Sequence, residues 1–117
     1  MVTRLDKRSL QKILSGKVKT RSTCVIKFYS TGCHYCLALK PIYEEISKEF
    51  ENVNFFVFNI KDYPEVEKVL HFKGVPTLFS IDVGGPLPRR KQIKEPVAPD
   101  DKTWYTGYGI RQFIQEI

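Results

Sequence analysis

The chain contains only three cysteines and two histidines among its 117 residues. An odd number of cysteines makes a poor disulfide framework, because pairing any two leaves a third thiol free. That favours a reducing compartment, and the expected location is cytoplasmic or its equivalent. The same scarcity argues against a metal. A zinc site needs about four ligands, and beyond Cys33 and Cys36 the candidates are Cys24, His34 and His71, with no second closely spaced ligand pair. No metal is expected.

Long apolar runs are missing as well. Nothing approaches the roughly 18 residues that a membrane span requires, and Met1 to Lys19 hold no apolar stretch of signal-peptide length. No membrane partner is expected. There is no internal repeat and no low-complexity tract. A chain of this length buries one core, so residues 1–117 are expected to form a single domain, and a monomer. The formal charge of +6 is compatible with an acidic partner. Its cations are spread from Arg4 to Arg111 without a nucleic-acid-binding motif, so direct nucleic-acid binding is not expected.

Local patterns alternate between helix and strand. Asp6 caps a helix over about 7–15, with Leu5 and Leu10 as a hydrophobic staple and Gly16 closing its far end. Thr23 to Tyr29, rich in β-branched and aromatic residues, reads as a central strand. Leu39, Ile42, Tyr43, Ile46 and Phe50 recur at spacings of three and four, which predicts a helix from about His34 to Glu51, with Pro41 kinking it. Val53 to Ile60 is a second strand, Pro64 opens a short helix, and Thr77 to Val83 is a third strand. Thr103 to Thr106 is read as a fourth strand, Met1 to Leu5 as a possible short edge strand. Ile110, Phe113, Ile114 and Ile117 mark a last helix. The sum is an α/β fold with a mixed sheet of four or five strands and helices on both faces. Residues 84–101, with Pro86, Pro88, Pro96, Pro99 and the cluster Arg89-Arg90-Lys91 with Lys94, read as an insertion between the last two strands. If the strand entered at Thr77 starts beside the cysteines, that insertion lies at the opposite pole.

Chemistry concentrates at Cys33-His34-Tyr35-Cys36. Two cysteines three apart at a helix start suit reversible disulfide formation. The unpaired N–H groups and the helix dipole there stabilise a thiolate at Cys33, and Cys36, one turn inward, is placed to resolve a mixed disulfide. Further on, Val75-Pro76-Thr77 places a proline at a strand start, where a missing ladder donor is tolerated. That makes Pro76 a candidate cis bond.

The strand, the Cys-x-x-Cys at a helix start, Pro41 inside that helix and the Gly74-Val75-Pro76-Thr77 loop together resemble the thioredoxin family, over residues 5–83 and 102–117. The resemblance implies a thioredoxin fold and a protein thiol-disulfide oxidoreductase. Its redox-active Cys33–Cys36 pair serves in place of a separate cofactor. Substrate proteins carrying disulfides are the implied partners, with a flavoprotein thioredoxin reductase or glutathione as electron donor. It also implies that Val75 and Pro76 flank the disulfide and pair with the substrate chain. Tyr105 to Gly109 is similar to the segment lining the substrate groove of protein disulfide isomerase domains, which makes Tyr108 a contact candidate.

Four positions depart from the family. Gly32 stands where thioredoxins carry tryptophan, at the rim where substrate approaches. His34-Tyr35 replaces Gly-Pro, and a histidine beside Cys33 stabilises its thiolate and makes the disulfide more oxidising. Lys27 replaces a buried acid on the central strand; it either tunes the cysteines or carries its amino group to the sheet edge along its stem. Cys24 reads as a small buried hydrophobe. Two other functions stay open. Tyr35 is similar to glutaredoxins, although Gly84-Gly85 arrives too early for their glutathione-binding pair. The basic insertion also suits a thioredoxin-like scaffold, such as a polymerase processivity subunit, without redox turnover.

Overall fold

The computed structural model describes all residues from Met1 to Ile117. Five strands form one mixed sheet: β1 (Val2–Arg4), β2 (Ser22–Tyr29), β3 (Val53–Asn59), β4 (Thr77–Val83) and β5 (Arg89–Gln92), in the order β1-β3-β2-β4-β5. β1, β3 and β2 run parallel, and β4 and β5 continue antiparallel. The helices are α1 (Lys7–Leu14), α2 (His34–Ser47), α3 (Val66–Leu70) and α4 (Gly107–Gln115), with a 3₁₀ turn at Ile60–Asp62.

Side chains alternate across β2, and the two faces build two cores. Cys24, Ile26 and Phe28 pack with Leu10 and Ile13 of α1 and with Val66 and Leu70 of α3. Val25 packs with Leu39, Tyr43 and Ile46 of α2 and with Ile110, Phe113 and Ile114 of α4. Burying both faces explains why β2 reads as a continuous apolar run. Burial also pushes the Cys24 thiol up. Asp6 caps α1, its carboxylate accepting from Ser9 N–H at 2.8 Å, and Leu5 and Leu10 are both buried beneath it.

Several boundaries differ from the sequence reading. α2 stops at Ser47, short of Glu51, and α3 begins at Val66, two residues past Pro64. The strand expected at 103–106 does not form. Trp104 has φ of 65°, a left-handed conformation that no strand accepts. It meets Asp100 through an isolated pair of backbone hydrogen bonds, each 3.0 Å.

The last strand lies instead inside the segment read as an insertion. β5 pairs with β4 from Arg89↔Asp82 to Gln92↔Phe79. Only the turn at 84–88 occupies the pole opposite the cysteines, and from there the chain runs back beside β4 toward them. Gly84 makes this possible: φ is +85°, and a Cβ there would collide with the backbone of Arg21.

Candidate active site

β2 ends at Tyr29, and the chain turns through Gly32, whose φ of +87° favours glycine. The turn is tied from β3. Asn59, 2 % exposed, donates its amide to Thr31 Oγ1 at 3.1 Å while its carbonyl accepts from Lys61 N–H. Cys33 then caps α2, and its Sγ accepts the backbone N–H of Cys36 at 3.1 Å. Cys33 and Cys36 form a disulfide with Cα atoms 5.2 Å apart, inside the usual range. Cys33 is half-buried and Cys36 buried. The outer sulfur thus combines access with a fixed N–H donor and the positive end of a helix.

The Val75–Pro76 peptide bond is cis. Val75 O lies 3.9 Å from Cys33 Sγ, so this loop and the disulfide are neighbours. Thr77 holds the loop from the strand side, its hydroxyl donating to Gly74 O at 3.1 Å.

His34 is exposed, and its ring lies 4.2 Å from that of Tyr35. Tyr35 in turn meets Trp104 edge-on at 5.6 Å, and the Trp104 indole N–H donates to Glu95 at 2.8 Å. The returning half of the 84–101 segment and the residues after it therefore reach the chemistry, contrary to the remote position expected from chain direction. Beneath Trp104, Tyr105 is buried with its hydroxyl unpaired. Its pKa is pushed up to about 12 by burial and by the charge of Glu95.

Below the disulfide opens a cleft of about 610 Å³. Gly32, Cys33 and Cys36 line it, together with Lys27, Lys40 and Glu44. Lys27 does not carry its amino group to the sheet edge. It is 3 % exposed, with Nζ 5.1 Å from the Tyr43 ring centroid. Burial, aided by the charge of Lys40 and opposed by Glu44, lowers its pKa to about 8.

Among the residues singled out from sequence, Lys27, Gly32, Cys33, His34 and Cys36 line this cleft, Tyr35 packs on His34, and Val75 reaches Cys33 next to the cis Pro76. Tyr108 does not line the cleft and is 73 % exposed on the first turn of α4. Sequence reasoning missed Asn59, Lys40, Glu44, Glu95 and Trp104. Lys40 and Glu44 were within reach, since they follow Cys36 at intervals of four along one helix face. Trp104 and Glu95 carried no local signal.

The thioredoxin family model matches residues 2–98. Among curated proteins, the chain is 31 % identical over 62 residues to a thioredoxin of Borreliella burgdorferi, covering 52 % of this chain and 53 % of that one. It is 36 % identical over 63 residues to a thioredoxin of Buchnera aphidicola, covering 53 % and 58 %. These alignments span little more than half the length of those relatives. In overall shape it is similar to mitochondrial thioredoxin 3 of Saccharomyces cerevisiae in its oxidised form, with a TM-score of 0.70, 16 % identity, and 99 % and 95 % of the two chains covered. That likeness concerns the fold. Since the family model spans most of the sequence and the sheet order, the helix-capping cysteine pair and the adjoining proline loop agree with it, the chain belongs to the thioredoxin family.

Proposed function

We propose that the chain is a protein thiol-disulfide oxidoreductase that exchanges its Cys33–Cys36 dithiol with disulfides of substrate proteins. The observation that carries this reading is the asymmetry of the pair. Cys33 is accessible and bonded by an N–H at the start of α2, while Cys36 is buried one turn inward.

In the reduced protein the Cys33 thiolate attacks one sulfur of a substrate disulfide. A Cys33–substrate bond forms, and the other substrate sulfur leaves as a thiolate that takes up a proton. Cys36 then loses its proton and attacks Cys33 Sγ. The Cys33–Cys36 bond closes, the second substrate sulfur departs, and two electrons have passed to the substrate. Oxidation of a substrate dithiol is the same sequence reversed.

Val75, Pro76 and Gly32 form the surface on which the substrate chain lies, and Tyr108 contributes from α4. His34 and Tyr35 set the poise of the pair. Lys27 acts from below, its positive charge favouring the thiolate form. A flavoprotein thioredoxin reductase or glutathione resupplies electrons, and the protein works as a monomer in the cytoplasm or an equivalent reducing space. No helix is long and apolar enough to cross a membrane.

The test is reduction of insulin disulfides by dithiothreitol with and without the protein. Wild type should accelerate precipitation and Cys33→Ser should not. Equal rates for both proteins would leave a thioredoxin-like scaffold as the better reading.

A further inference from the structure

We propose that the free edge of β5 is a docking site for an extended, acidic segment of a partner protein, which adds to the sheet as a further strand. This goes beyond disulfide exchange and does not depend on it.

Charge gives the first argument. Residues 15–21 and 84–94 carry Lys17, Lys19, Arg21, Arg89, Arg90, Lys91 and Lys94 and no carboxylate. All seven cations are exposed. The rest of the chain, with twelve cations against thirteen carboxylates, is almost neutral. Folding joins the two segments. Gly84 sits on the Arg21 backbone, and a Cβ at Gly16 would lie 3.2 Å from Pro88. The cations scattered in sequence thus meet where the 84–88 turn leads into β5, with Asp82, opposite Arg89, and Glu95, next to Lys94, as the acids beside them.

Backbone geometry gives the second. β5 is the outermost strand. Ile93 N–H donates to Leu78 O at 3.0 Å, and with the pairing Gln92↔Phe79 this fixes the alternation of the ladder. Arg89 and Lys91 turn their N–H and C=O groups toward β4. Arg90 and Gln92 turn theirs outward, and neither takes part in a turn or loop hydrogen bond. These are the groups that an added strand uses. Cations along such an edge repel a second copy of it. Carboxylates at alternate positions of an incoming strand would meet Arg89 and Lys91 on one face as favourable cross-strand pairs.

The occupant is further narrowed by what surrounds the edge. Leu87, 76 % exposed between Pro86 and Pro88, offers an apolar contact to a polypeptide that a phosphate backbone cannot use. None of the exposed large hydrophobics in these two segments is aromatic, so stacking on bases has no platform. One leucine with a basic rim is a weak membrane anchor. β4 and β5 separate the docked strand from β2, whose end leads into the cysteines.

Amide NMR titration of the full chain with a short peptide alternating glutamate and threonine tests the proposal. A lysine-threonine peptide, a DNA duplex and phosphatidylserine vesicles serve as competing probes. The glutamate peptide should shift the Arg90 and Gln92 amides, slow their hydrogen exchange, and lose affinity as salt rises. Arg89→Glu combined with Lys91→Glu should weaken binding about tenfold or more. Gln92→Pro removes one outward N–H without touching the β4 ladder or the charge. It should weaken binding about tenfold, and Gln92→Ala should not. Exchange protection in wild type reads the same bonds if the proline variant does not fold. Absence of peptide binding at low salt, unprotected edge amides in the complex, or tighter binding of duplex or vesicles would each overturn the proposal. Insulin reduction, measured separately, decides the redox reading.

Discussion

The Trp104 ring packs edge-on against the Tyr35 ring, with centroids 5.6 Å apart. Tyr35 lies between the two redox cysteines, and Trp104 lies past the end of β5, so the contact ties the C-terminal loop to the disulfide. Trp104 is held there despite its positive φ, a conformation that costs a bulky residue about 1–3 kcal/mol. Its backbone pairs with Asp100, and its indole pairs with Glu95.

Because Trp104 is the single tryptophan, intrinsic fluorescence reports on this contact. Reducing Cys33–Cys36 should change the emission, and Tyr35→Ala should remove most of that change. An identical redox response in Tyr35→Ala would mean that the ring contact does not couple the loop to the disulfide.

Alkylation of the reduced, folded protein should label Cys33 first. Its thiol pKa should fall below the roughly 8.5 of free cysteine, because a helix N-terminus favours thiolate. Buried Cys36 and Cys24 should react slowly, Cys24 most of all since burial raises its pKa. Mass spectrometry of timed quenches reads the order, and equal labelling of all three would refute it.

The disulfide should be more oxidising than the roughly −270 mV of thioredoxin, with His34 as a cause. A charge-assisted hydrogen bond to the Cys33 thiolate contributes about 1.5–3 kcal/mol, and about 30 mV corresponds to about 1.4 kcal/mol. His34→Gly should therefore lower the potential by at least about 30 mV in equilibrium titration against glutathione. No shift would assign the poise to other groups.

Lys27 makes stability depend on pH. Its folded pKa of about 8 lies below the ordinary lysine value because burial disfavours the charge. Above about pH 8 the unfolded chain holds a proton that the folded chain has released, so stability rises with pH until the unfolded lysine also titrates, near 10.4. Below pH 8 both states are protonated and the buried charge costs on the order of 3 kcal/mol. Lys27→Met should stabilise the protein at pH 7, with the gain shrinking from pH 8 to 10. Urea melts across that range measure it, and a gain independent of pH would show that the ammonium is not the cause.

Lys27→Met also separates the two roles of this lysine. If its charge supports the thiolate, the Cys33 pKa should rise in the variant. Iodoacetamide rates against pH read this directly, and an unchanged pKa would make the lysine a structural feature of the cleft.

Most of the fold was written in local pattern. Asp6 and its staple located α1, the apolar run from Thr23 located β2, and the three-and-four spacing from Leu39 to Ile46 located α2. These signals are legible because capping and amphipathicity act within a few residues. The cysteine pair at a helix start belongs to the same class. β5 carries no such signal. Arg89-Arg90-Lys91-Gln92 has no apolar alternation, and it is a strand because β4 offers an unpaired edge. Thr103 to Thr106 has strand composition, yet Asp100, Glu95 and Tyr35 hold Trp104 in a conformation that ends any ladder.

The sequence by itself thus determined the elements whose residues bury one another through short-range periodicity, together with the cysteine pair at the start of α2. Tertiary structure alone decided that Lys27 stays inside, that Trp104 reaches Tyr35, and that distant cations meet where the 84–88 turn leads into β5. Each of these depends on contacts between residues far apart in the chain, whose free energy appears only once the sheet has closed.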